Sequence, residues 1–333
     1  MRIVLLLLLV LSLPPAALAQ PRGVPSNGFP SWQERMLQML LNRSRADPSA
    51  EKKACAATNA RPPLAYVYDL NRAARFHSAN MGKTACFQHN SPCLLHADIS
   101  SRFAPQGTCD GATACACSNT PACSAGCGPA ACTGPFARVA LFGGTATAET
   151  LVSGSATPRA AHDVLMNSTD HCDIVLGDYG TVGTGALDGY WTANFGTPGP
   201  APGVLVAGGH EVGAGFGQFT SAATQAVEFR VNYAHAGGGP QAAQLNVGGA
   251  CTAMTRERGS AGNGTWRATV SLAGVPCRRY HFSFKDASGA TVALPETGSY
   301  GVGGSLATCP DWAPTAPPAC QAPPAPPTNL QVR

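Results

Sequence analysis

The stretch LMNSTDHCDIVLGDYGTVGTGAL, residues 165–187, changes its period half-way along. Upstream, Thr157 and Pro158 have the form of a helix start, threonine as cap and proline at the first helical position, and the helix runs to about Asn167. Downstream, TVGTGALDG and then GYWTANFG are short runs of β-branched, aromatic and alternating apolar residues bounded by glycine, the form of two strands. His171 stands at the join, between Asp170 and Cys172. A histidine in such a place is most often tied up in a local hydrogen bond, so only partners elsewhere in the chain can give it a chemical role.

Working outward toward the N-terminus, Ser31-Trp32-Gln33-Glu34 is a capping box, followed by Met36, Leu37, Leu40 and Leu41 at helical spacing until Asp47-Pro48 stops the run. A second helix starts at Asp69, with Leu70, Ala73, Ala74, His77 and Met81 on one face, so His77 reads as a packed helix residue rather than a ligand. Residues 1–19 combine one arginine, a leucine-rich core shorter than a membrane span and Ala17-Leu18-Ala19, the pattern of a cleavable secretory leader. No later run is long and apolar enough to span a bilayer, so the expected location is secreted, extracellular and oxidising.

Toward the C-terminus the period becomes two. Val227, Phe229, Val231 and Tyr233 alternate, as do Trp266, Ala268, Val270 and Leu272, then Tyr280, Phe282 and Phe284. Such alternation marks half-buried strands, and with Asp286-Ala287-Ser288-Gly289 as a hairpin turn this half reads as a small antiparallel β-sandwich. Trp266, Tyr280 and Tyr300 have flat faces that suit sugar rings, although alternation places Trp266 and Tyr280 in the core.

The net charge of +4, with 12% charged residues, argues against a nucleic-acid partner. An even count of fourteen cysteines behind a leader reads as disulfides, and CDGATACACSNTPACSAGCGPAAC, residues 109–132, holds six of them. Cys86 and Cys93 lie close enough to close a small loop around His89, and Cys251 with Cys277 and Cys309 with Cys320 are the expected pairs farther on. Asn42, Asn167 and Asn263 each begin an N-x-S/T triplet.

Six segments fall in a familiar order: LLNRSRADP (40–48), DLNRAARFHSANM (69–81), CFQHNSP (86–92), AETLVSG (148–154), the stretch quoted first, and YWTANFG (190–196). Together they resemble the CAP superfamily of cysteine-rich secretory, antigen 5 and pathogenesis-related proteins, in its bacterial SCP-like form, over roughly residues 31–197. The resemblance implies an α-β-α sandwich with a cleft of histidines and glutamates able to bind a divalent metal. Matched segment by segment, the cleft residues are His89, Glu149 and His171, with His89 and His171 as metal ligands. Two imidazoles and a carboxylate suit zinc and leave a fourth position for water. The sequence departs from the pattern at Ala148 and Thr150 around Glu149, at Leu165, and at Cys172. A second glutamate has no clear counterpart, Asp163 and Asp170 being the nearest acids.

The expected fold class is therefore α+β: a 1–19 leader, a 20–30 linker, an α-β-α sandwich CAP domain over 31–197, a Pro/Gly linker at 198–204, an antiparallel β-sandwich over 205–305 folding as a separate unit, and a Pro-rich tail over 306–333. The expected function is extracellular binding of a lipid, sterol, cell-surface or protein ligand rather than catalysis. The alternative is a metal-assisted hydrolase acting on peptide or cell-wall material through His89, Glu149 and His171.

Overall fold

The computed structural model describes residues 21–103, 107–123, 127–197 and 203–316. The leader, Cys320, most of the 198–204 linker and the far end of the Pro-rich tail lie outside the described residues.

The first half runs α1 (Trp32–Ala46), a 3-10 turn (Pro48–Ala50), β1 (Ala65–Tyr66), α2 (Tyr68–Thr84), α3 (Ile99–Arg102), α4 (Thr113–Ala116), α5 (Pro135–Leu141), β2 (Ala148–Val152), α6 (Pro158–Met166), α7 (Thr169–Val175), β3 (Thr181–Leu187) and β4 (Tyr190–Gly196). The capping box forms as read, the Ser31 side chain accepting from Glu34 N while the Glu34 carboxylate accepts from Ser31 N. Thr157 likewise caps α6, accepting from Ala160 N with Pro158 in the first turn. His171 is not in a loop after α6. It sits in a short helix of its own, α7, which Cys172 ties to Cys55.

The sheet order is β1-β3-β4-β2, with β1 parallel to β3 and the other pairs antiparallel. Alternate residues of TVGTGAL serve opposite layers. Val182 and Ala186 join Leu37, Leu41, Leu165 and Val175 beneath α1, α6 and α7. Gly183 and Gly185 face α2, and a Cβ on either would lie 2.1 Å from its backbone. Those glycines let helix and strand approach closely, which gives the α-β-α sandwich its second helical layer.

The second half holds β5 (Leu205–Val212), β6 (Gln225–Ala234), β7 (Ala242–Val247), β8 (Ala250–Ala253), β9 (Thr255–Ser260), β10 (Asn263–Leu272), β11 (Arg278–Lys285), β12 (Thr291–Leu294), β13 (Ser299–Val302) and β14 (Trp312–Ala313). One sheet is ordered β5-β6-β10-β9, the other β14-β13-β11-β7-β8 with β12 also on β11. Val227, Phe229, Val231 and Tyr233 meet Leu245, Tyr280, Phe282 and Phe284 between them. The Asp286 carboxylate closes the β11–β12 turn by accepting from Ser288 N and Ala290 N. Tyr280 and Tyr300 are fully buried and present no face to a sugar, while Trp266 is half-buried against the same core.

The outer face of β6 departs from the half-buried pattern. Arg230 and Asn232 are buried because α1 lies across them, Asn232 Nδ2 donating to Met39 O. Helix α1 is thus the middle layer between the two halves, with all but one of its fifteen residues buried. Trp32, Met36, Met39 and Leu40 pack with Ala207. Trp32 Nε1 donates to His210 O, and Arg35 forms a two-pronged ion pair with Asp311.

The disulfides correct three expected pairings. Cys86 is bonded to Cys123 and Cys93 to Cys117, so the His89 loop is tied at both ends to the cysteine-rich insert rather than closed on itself. Cys109–Cys115 and Cys127–Cys132 complete the insert. Cys277 pairs with Cys309, which displaces both Cys251–Cys277 and Cys309–Cys320; Cys251 is disulfide-bonded too. The reason is topological: β11 and β13 are neighbours, with Arg278 opposite Val302, and the segment that follows β13 brings Cys309 back beside Cys277. Among the described residues no cysteine is free, and no helix is long and apolar enough to cross a membrane.

Candidate functional site

The candidate site lies at β2, the edge strand of the first sheet. Ala148 and Val152 point into the core under α1, so the pleat sends Glu149 to the opposite face. There it meets Arg138 of α5, whose side chain is fully buried. Arg138 Nη2 donates to Glu149 Oε2, and its Nη1 donates to the His89 carbonyl at 3.0 Å and to Ser91 Oγ at 3.3 Å. His89 Nδ1 lies 3.0 Å from Glu149 Oε1, while about half of the His89 ring surface is open to solvent. The carboxylate accepts, so Nδ1 carries the proton and Nε2 is the basic nitrogen.

Burial is the largest single influence and raises the Glu149 carboxyl, but the Arg138 guanidinium and the neighbouring histidines together outweigh it and hold the group down at about 2. His77 is the group behind them. Burial first, and Arg138 next, push it down to about 3, so it is neutral. Its Nε2 faces the Gln88 carbonyl at 2.9 Å and must carry the proton. His77 is thus a packed helix residue as its spacing indicates, yet it backs the site. His171 is half-buried, and its pKa is lowered by burial and then by the charge of His89.

The residues do not fit zinc. Both Glu149 oxygens are committed, one to Arg138 and one to His89, which leaves only His89 Nε2 and His171, fewer than the three protein ligands of a zinc site. A divalent cation on Glu149 would also face the buried guanidinium. Asp163 does not replace the absent glutamate: its carboxylate lies 3.3 Å from His162 Nδ1. Among the described residues no three His, Cys, Asp or Glu side chains are grouped to hold a metal.

Spacing could not have found Arg138, an arginine in PFARVALF with no flanking feature to set it apart. A second grouping only looks like chemistry. Ser44 Oγ lies 2.7 Å from His162 Nε2, with Asp163 beyond it. Ser44 is fully buried within α1, so no substrate reaches it, and the contact ties α1 to α6.

The rim is rigid. The Cys86–Cys123 and Cys93–Cys117 bonds bracket His89, Asn90 Nδ2 donates to the Cys127 carbonyl, and Ser91 N donates to the Thr133 carbonyl. Phe87, half exposed, stands against the Tyr190 ring beside it.

No family model and no curated protein match the chain. Among solved structures it is similar to an extracellular protein containing a SCP domain from Bacillus anthracis, at 19% identity and a TM-score of 0.29. The match covers 41% of this chain and 34% of that one, so the chain spans about a third of that protein's length.

Proposed function

We propose that the chain is a secreted binding protein of the CAP type, whose cleft presents His89 and His171 from a disulfide-fixed wall to an extracellular lipid, sterol, cell-surface or protein ligand. Six CAP-like segments in order and the dense disulfides support this reading. The observation that carries it is Glu149: both oxygens are used inside the protein, so the carboxylate acts as a strut that aims His89. Thermal-shift titrations against sterols, fatty acids and cell-wall glycans, on native protein and on His89→Ala, test it. The expected result is a ligand whose shift disappears in His89→Ala, and no shift with zinc. A zinc shift that requires both His89 and His171 would overturn it.

The His89–Glu149 contact supports one second reading. An ionised carboxylate on Nδ1 is the arrangement that orients a histidine as general base, with water as the nucleophile. Hydrolysis of peptide or cell-wall substrate that survives chelators and is lost in His89→Ala would favour it.

A further inference from the structure

Three loops meet at one end of the second half. The β5–β6 loop leaves at Val212 and returns at Gln225, which pairs with Leu272 where the β10–β11 loop begins. That loop ends at Arg278, paired with Val302, where the segment after β13 starts. The three are tied together by the Cys277–Cys309 disulfide, by Thr220 N donating to Gly303 O at 3.0 Å and by Gly304 N donating to Val275 O at 3.2 Å.

Each loop exposes one large apolar side chain: Phe219 at 43%, Val275 at 53% and Leu306 at 51%. These are half of the exposed large hydrophobic residues among those described, and each comes from a different loop. Residues 213–226, 273–277 and 303–310 contain no Asp, Glu, Lys or Arg. Immediately behind them stand Arg278, exposed, and Arg279, which reaches the Pro310 carbonyl at 2.7 Å. The nearest acid, Asp311, is neutralised by Arg35.

We propose that this end of the β-sandwich is a membrane-surface site, in which Phe219, Val275 and Leu306 enter the headgroup–acyl boundary of an anionic bilayer and Arg278 and Arg279 meet its phosphates. Apolar tips with an uncharged surround and a cationic collar one layer back match the polarity profile of a bilayer surface. The interloop hydrogen bonds suit such a medium, because they satisfy backbone groups that leave water on insertion. The site is separate from the His89 cleft and does not depend on its function.

Vesicle flotation with the full chain tests the proposal, using phosphatidylcholine alone and phosphatidylcholine mixed with phosphatidylglycerol. Native protein should float with the mixed vesicles and less with the neutral ones. Phe219→Ser combined with Val275→Ser and Leu306→Ser should lower partition at least about tenfold. Its melting point should stay native, since all three side chains are exposed. Arg278→Gln should weaken binding to the mixed vesicles only. His89→Ala should float as native does, so a failed cleft reading would leave this result intact. The proposal falls if native protein fails to float with the mixed vesicles, if the triple variant floats as well as native, or if His89→Ala abolishes flotation.

Discussion

Arg138 holds its charge with no access to water, balanced by one carboxylate and two neutral acceptors. Removing only the guanidinium strands Glu149 in the interior. Arg138→Met should therefore cost about 3–5 kcal/mol in urea unfolding, whereas pairing it with Glu149→Leu should recover most of that loss. Equal losses in both variants would show that packing, not the ion pair, is at stake. A second prediction follows from His210, fully buried between Tyr280 OH at 2.9 Å and Gln218 O at 2.8 Å. Burial pushes it from 6.5 down to about 4. The unfolded chain takes up this proton below about 6.5 while the folded imidazole refuses it, so the stability is whole above that pH and is lost as pH falls through about 4. The expected loss is on the order of 3 kcal/mol, and His210→Gln should flatten the fall between those limits. Identical acid limbs in native and variant would refute it. At this scale the sequence showed which residue types were available, but not their partners: His89 and Glu149 stand 60 positions apart, and Arg138 has no signature.

Among elements, local signals were legible where local physics decides. The capping box, the Thr157-Pro158 start and the alternation through Val227 to Tyr233 each rest on neighbours within a few residues, and each formed as read. Pairing of cysteines was not legible, because it depends on which loops the fold brings together. Cys172 is the instructive case, since an apparent departure beside His171 is a covalent anchor to Cys55 across 117 residues. Replacing both by alanine should cost roughly 5 kcal/mol, as expected for a crosslink closing a loop of that length. It should also loosen α7, so amide exchange over residues 169–175 should quicken more than over α2. Uniform quickening would mean that α7 is held by packing alone.

For the molecule as a whole, the change of period near 198 invites the reading of two units that fold separately. The position of α1 argues against it. A helix with an apolar face toward its own sheet would be amphipathic, yet α1 is buried nearly all round, because its second face is the floor of the other half. Trp32, Met36, Met39 and Leu40 would be bared in a free first half, and burying each such side chain is worth about 1.5–3 kcal/mol. Arg35 would lose Asp311, and Arg159 of α6 would lose Glu211, which it meets at 2.5 Å together with Arg230. The loss is mutual, since Arg230 and Asn232 would turn toward water a face that α1 now covers. Residues 21–197 produced alone should therefore aggregate or lack a cooperative melt. The same piece produced together with residues 203–316 should recover as a non-covalent pair that co-elutes on gel filtration and melts in a single transition near that of the intact chain. Two pieces that stay apart, each with its own sharp transition, would restore the picture of independent domains and reduce α1 to a contact surface.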